Sequence, residues 1–252
     1  LASARCAAGG HHQQGGFMIT EFRSPNCNAR KPEQGIDPVI DTLVIHYTGM
    51  MPTTRARDWL CDPVSQVSAH YLIDEDGTTW QLVADDDRAW HAGVGAWRGW
   101  RDINSRSIGI ELSNPGHDYG YRNFPAVQIN ALIGLSQGLI DRHPIIARNV
   151  VAHSDIAPAR KIDPGELFPW AQLAAAGIGH WPLGSADPVS DADTASTLQA
   201  IGYDVAENDL ATVISAFQRR FRPANFDGIA DPETRSRIAS VYALVAEIAP
   251  SA

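Results

Sequence analysis

The chain has 252 residues, 44% hydrophobic and 19% charged, the proportions of a soluble globular protein with one or two domains. Its 20 lysines and arginines against 29 aspartates and glutamates give a net charge of −9 and a pI near 5.4. That balance removes the basic footprint of a nucleic-acid or anionic-membrane binder, and no run approaches the roughly 18 apolar residues of a membrane helix.

Residues 1–23 read as a tail: Leu1 to Gly16 is rich in Ala, Gly, His and Gln, with neither the basic nor the apolar segment of an intact signal peptide. Two origins stay open. Leu1-Ala2-Ser3-Ala4 resembles the end of a cleaved signal, which implies the periplasm or cell envelope; a start at Met18 implies the cytoplasm. The His11-His12 pair reads as part of a polar tail. Cys6, Cys27 and Cys61 have no paired spacing and read as free thiols.

After turn-rich residues 24–38, Thr42 to Tyr47 is a short β-branched run that predicts a central strand carrying His46. Thr53 to Leu60 predicts a helix capped by Thr53 or Thr54. Ala69 to Ile73 and Thr79 to Val83, joined by Asp74-Glu75-Asp76-Gly77, predict a hairpin. A Trp/Arg/Gly-rich stretch from Trp90 to Asn104 predicts an ordered, irregular loop. Ser107 to Leu112 is a further strand, with Glu111 among apolar neighbours. Ala126 to Asp141 has helical periodicity, and Val150 to Ala152 is a strand leading into His153.

Residues 24–180 thus predict an α/β domain with a mixed central β-sheet flanked by helices. Trp181 to Asp191, rich in Pro, Gly, Ser and Asp, predicts a linker. Residues 192–252 predict a second, small three-helix domain: Thr194 to Ile201 ending at Gly202, Asp209 to Phe221, and a helix opening at Asp231-Pro232-Glu233. A linker there predicts that truncation after about residue 183 leaves a folded first domain.

Two histidines and a carboxylate, His46, His153 and Asp163, are the protein share of an open zinc site. Each alone reads equally as an ordinary residue: a strand histidine in the core, a loop carboxylate in water. Glu111, a carboxylate on an apolar strand, is a candidate general acid or base, since such a group is costly unless paired or functional. Lys161, two residues before Asp163, is a candidate donor to a developing oxyanion.

Ile45-His46-Tyr47-Thr48, Ser68 through Ile73, Trp90-His91-Ala92-Gly93, Asn104 through Glu111, and His153 through Gly165 together resemble the type-2 zinc N-acetylmuramoyl-L-alanine amidases. That family shares its fold with phage amidases and the peptidoglycan recognition proteins. The resemblance implies one zinc per chain on His46, His153 and Asp163, with Glu111 and Lys161 as the catalytic pair. It further implies Arg160 as a contact to the muramyl sugar, and substrate contacts from Trp90, His91, Asn104, His70 and Tyr71. Some members carry a catalytic tyrosine about where this chain has Ala69, which leaves the proton work to Glu111.

The implied substrate is peptidoglycan or an intact or anhydro-muropeptide, acted on by a monomer, in a bacterial cell-wall turnover role. Thr197 through Tyr203, Ala216 through Phe221 and Phe226 through Asp231 with Thr234 resemble a three-helix peptidoglycan-binding domain. The competing expectation is a recognition module that keeps the groove without the chemistry. A two-carboxylate glycosidase fits less well, because Asp85-Asp86-Asp87 reads as a solvated turn.

Overall fold

The computed structural model describes residues 8–14 and 17–246, with side chains from Ile19 onward. Cys6, the Leu1–Ala4 stretch and the side chains of His11, His12 and Met18 lie outside the described residues. Two compact units share the chain. The first runs to Gly93 and resumes over Asp102–Ile146; the second comprises Val94–Arg101 and everything from Ala147.

The first unit contains β1 (Ala8–Gln14), β2 (Phe17–Phe22), β3 (Cys27–Ala29), β4 (Thr42–Tyr47), α1 (Thr53–Leu60), β5 (Tyr71–Ile73), β6 (Thr79–Gln81), β7 (Asp87–Ala89), α2 (Ile103–Arg106), β8 (Ser107–Leu112) and α3 (Ala126–Arg142). In its sheet the strands follow the order β1-β2-β6-β5-β8-β4. Pairing is antiparallel for β1 with β2 and β5 with β6, and parallel for β2 with β6, β5 with β8 and β4 with β8. Strands β4 and β8 are almost wholly buried, as their continuous apolar runs require of parallel strands.

The expected tail over 1–23 differs from the structure, which forms β1 and β2 there. Ile19 is buried in β2, so the segment joins the sheet by backbone pairing that its mixed composition did not advertise. A second small sheet, β3 with β7, was equally unannounced. Asp85, expected in a solvated turn, accepts from Tyr71 Oη at 2.7 Å and Arg142 Nη2 at 2.9 Å. Burial alone would raise its pKa, but those hydrogen bonds outweigh it and hold the carboxyl below its ordinary range.

Helix α1 keeps its predicted span, but Pro52 is its N-cap; the Thr53 hydroxyl instead bonds Asp74 and Ser113. Helix α3 buries Ile129, Leu132, Leu135 and Leu139, and its Gln128 donates to the carbonyls of Ile73 and Ser113, both at 3.0 Å. That one side chain pins the ends of β5 and β8. Cys27 and Cys61 are free thiols.

The second unit contains β9 (Val150–Ala152), α4 (His153–Ile156), α5 (Trp170–Ala175), α6 (Thr194–Ile201), α7 (Leu210–Phe221) and α8 (Pro232–Ala246). Its core joins Leu198, Tyr203, Val213, Phe217 and Ile238. Gln218 organises the turn before α8, donating to Ile229 O and Thr234 Oγ1 at 3.0 Å while its own oxygen accepts from Gly228 N at 2.8 Å. The Val94–Arg101 loop packs here too: Ala96 N donates to Ile156 O at 2.8 Å and Arg98 N to Gly202 O at 2.8 Å. Gly202 has φ of +148°, and a Cβ on it would lie 2.6 Å from the Trp97 ring, so glycine serves both as helix stop and as seat for the indole.

The division therefore falls elsewhere than at the expected linker. Residues 147–180 and the helices after 191 are one compact unit, because buried polar side chains of α7 reach back to β9 and α4. Among the described residues no helix is long and apolar enough to cross a membrane.

Candidate metal centre

His46 lies on β4 opposite Glu111 on β8 in a parallel register, so the two side chains leave the same face of the sheet. His46 is buried and Glu111 half-buried. His46 Nε2 stands 3.0 Å from His91 Nδ1, and His91 Nε2 stands 3.2 Å from Ser107 Oγ. Ser107 Oγ is itself 2.6 Å from Ile103 O, which can only accept, so the one hydroxyl hydrogen goes there. His91 must then donate from Nε2 and accept at Nδ1, and His46 must donate from Nε2. This chain of bonds leaves the lone pair of His46 on Nδ1, the neutral form that a metal ligand requires.

The His91 ring has its place because residue 109 is glycine. A Cβ there would lie 2.4 Å from the ring. The backbone before and after it is fixed by Asn104, whose Oδ1 accepts from His91 N at 3.1 Å and Ala92 N at 2.9 Å.

His70, beside them, accepts at Nδ1 from Gly109 N at 2.9 Å, so its Nε2 carries the hydrogen and donates to Asp87 O at 3.1 Å. Burial and the Arg30 guanidinium push its pKa down to about 3. Tyr71, buried and donating to Asp85, has its pKa driven up, first by burial and then by that carboxylate.

Of the residues expected to contact substrate, His91, Asn104, His70 and Tyr71 are buried and hydrogen-bonded to backbone and side chains of the first unit. Trp90 is half-buried, its Nε1 donating to Asn28 Oδ1 at 2.7 Å. Arg160 is exposed, and its Nη2 donates to Val94 O at 2.6 Å. Lys161 is half-exposed and borders a cavity of about 290 Å³ with Pro158, Thr212 and Arg219.

In the second unit β9 leads into His153, as expected, and His153 opens α4. Its Nδ1 lies 3.1 Å from Asp163 Oδ2, and Ser154 N donates to Asp163 O at 3.0 Å, which closes the loop between the two. Both are buried. Among the described residues, His46, His153 and Asp163 form a group able to hold a metal ion, their donor atoms all within 4.8 Å of one another. Two imidazoles and one carboxylate, buried and mutually this close, fit a tetrahedral divalent ion with one position left open.

Sequence reasoning missed Ser107 and Arg30 as supports. Arg30 donates to the carbonyls of Asp85, Asn104 and Ser107 from a lead-in loop without periodicity, so nothing local marks it. Asp155, Tyr203 and Arg220 were also passed over; only an acidic residue two after a candidate ligand offered a signal.

Residues 36–166 match the family described as N-acetylmuramoyl-L-alanine amidase. Over 263 aligned positions the chain is 41% identical to the N-acetylmuramoyl-L-alanine amidase AmiD of Escherichia coli, covering 94% of this chain and 93% of that protein. It is 47% identical over 177 positions to the 1,6-anhydro-N-acetylmuramyl-L-alanine amidase AmpD of Escherichia coli, covering 63% of this chain and 92% of the relative. Among solved structures, the complex of Escherichia coli AmiD with anhydro-N-acetylmuramic acid-L-Ala-D-gamma-Glu-L-Lys superposes with a TM-score of 0.74 at 38% identity, covering 93% of this chain and 98% of that one. With the mixed sheet, the three-donor group and likeness over nearly the full length, the chain belongs to the N-acetylmuramoyl-L-alanine amidase family.

Proposed function

We propose that this chain is a zinc amidase that cleaves the bond between the lactyl group of N-acetylmuramic acid and L-alanine, in peptidoglycan fragments that include anhydro-muropeptides. The observation that carries the reading is the buried His46, His153 and Asp163 group with Glu111 in register beside His46. Zinc held by those three, one per chain, supplies a Lewis acid for the carbonyl and acidifies water.

Glu111 takes the proton of the attacking water and delivers it to the leaving alanine nitrogen. Lys161 donates to the oxyanion that develops on the lactyl carbonyl, and exposed Arg160 with half-buried Trp90 meets the substrate. The complete donor set favours this over recognition without catalysis. Residues 192–252 act as a peptidoglycan-binding unit, supported by their motif resemblance and by the Gln218-centred turn. A unit that binds the polymer belongs where the polymer is, which favours the cell envelope, and the enzyme works as a monomer.

The test uses the purified chain on a soluble anhydro-muropeptide. A chelator should abolish turnover and zinc should restore it. His46→Ala, His153→Ala and Asp163→Ala should each lose zinc by elemental analysis. Glu111→Ala should keep zinc yet lose about 10² to 10⁴ in rate, and Lys161→Ala about 10² to 10³. Full activity in metal-free protein would sink the reading.

A further inference from the structure

The stretch that bears His153 is gripped from the C-terminal helices. Asp155, two residues after the ligand, is fully buried. Its Oδ2 accepts from Ala152 N at 2.8 Å and from Arg220 Nη1 at 2.6 Å, and its Oδ1 accepts from Tyr203 Oη at 2.7 Å. Arg220, on α7 and only 5% exposed, also donates from Nη2 to Val150 O at 2.9 Å. Its guanidinium lies 4.0 Å over the Trp170 ring, which sets the plane of the fork.

The run from Val150 to Asp155 is therefore held at three points, two before His153 and one after it. Two of the three holds come from one arginine, which lies 67 residues beyond the ligand in the sequence (220 − 153). Tyr203 is seated in turn against Trp97 and Phe217, with ring centres at 5.2 and 6.2 Å. Nothing about fold stability alone calls for so many charge-assisted bonds around one short segment. An apolar replacement of such a buried network is often neutral or stabilising. A metal ligand, by contrast, is sensitive to displacements well below one bond length, and partners that orient ligands are worth about 10- to 100-fold in metal affinity.

We propose that Arg220 and Tyr203 are positioning residues for the metal ligand His153, acting through Asp155 and the Val150 carbonyl, so that the C-terminal helices set part of the metal affinity. The inference rests on the metal reading above and extends it to residues that touch neither metal nor substrate.

The experiment compares full-length wild type, Tyr203→Phe, Arg220→Lys, Arg220→Met and Ile238→Val. The last trims the helical core away from Asp155 and reports loss of stability alone. Zinc affinity is measured by competition with a chromophoric chelator, well below the melting transition of each metal-free protein. Tyr203→Phe and Arg220→Met should bind zinc about 10- to 100-fold more weakly. Arg220→Lys should recover part of the loss, and Ile238→Val should match wild type while melting lower. Should Arg220→Met not fold, the near-isosteric Tyr203→Phe decides.

Wild-type affinity in Tyr203→Phe and Arg220→Lys, with only the melting temperature lowered, would overturn the proposal and leave the network a purely structural one. A wild-type chain that took up no zinc would be a different result, removing the metal reading itself.

Discussion

The two segments that carry the candidate metal donors are held in opposite ways. His46 sits near the C-terminal end of β4, fixed by the parallel ladder of β4 on β8 and by neutral partners, His91, Ser107 and Asn104, all within 61 positions of it (107 − 46). His153 sits at the start of a four-residue helix that cannot support itself, and the Arg220 guanidinium from α7 and the Tyr203 hydroxyl from the α6–α7 turn hold it through Asp155. A strand within a sheet inherits its geometry from many equivalent backbone bonds. A single helical turn inherits it from a few strong side-chain bonds, so it fails when one of them is removed.

The largest consequence concerns the C-terminal helices. Cutting the chain after about residue 183 would leave the buried Asp155 carboxylate without Arg220 and Tyr203, and Trp170 without its guanidinium. Stranding one member of a buried ion pair costs about 3–5 kcal/mol, a large share of the roughly 5–15 kcal/mol that holds a domain together. These bonds lead to the opposite prediction from the one that a linker over 181–191 suggests. The truncated protein should lose zinc, and turnover of small muropeptides should fall together with turnover of whole sacculi. Wild-type zinc content and wild-type rate on a small muropeptide, after that truncation, would show that the helices are dispensable for the site.

Much of the first unit was legible because its strands β4 and β8 are apolar runs and α3 is strongly periodic. His46, Glu111, His153, Lys161 and Asp163 stood out once read together with the family pattern. What could not be read was support. Asn28, in the short strand β3, and Arg30, just after it, lie in a stretch with no sequence periodicity, and their role exists only through carbonyls and side chains brought near by the fold. Asn104 and His91 were expected to contact substrate from the family resemblance alone, and their hydrogen bonds to backbone and to His46 could not be read from it. Tyr203 and Arg220 sit inside a motif that resembles a wall-binding unit, and that reading hid their second use. Strand β1 escaped notice since its glycine- and histidine-rich composition carries no alternation, and β2, Phe17–Phe22, was taken into the same tail.

A smaller effect should follow from Ser107→Ala. The methyl group fits where the hydroxymethyl was, and β8 keeps its backbone ladder. His91 Nε2, however, loses the acceptor that fixes its hydrogen, so His91 is free to place its hydrogen on Nδ1, facing His46. The His46 tautomer is then no longer imposed. Zinc affinity should drop about tenfold, the lower end for such partners, with little change in melting temperature of the metal-free protein. Chelator competition across pH checks this, and an affinity equal to wild type would mean that His46 keeps its tautomer by other contacts.

The smallest effect at neutral pH, and the most specific in its pH profile, belongs to His70. Its folded-state pKa of about 3 lies below the ordinary value of 6.5, with burial as the main cause and Arg30 next. Between those values the unfolded chain binds a proton that the folded chain refuses. Stability should therefore fall as pH drops from about 6.5 towards 3, by about 1.4 kcal/mol per pH unit from this group, and be unaffected by it above about 7. His70→Asn keeps an oxygen for Gly109 N but has nothing to titrate. Urea melts of the two metal-free proteins should thus differ by a constant at neutral pH, and the variant should lose stability less steeply below about pH 6. Parallel curves down to pH 4 would mean that His70 takes up a proton in the folded protein, which the donor already facing it from Gly109 and the nearby Arg30 argue against.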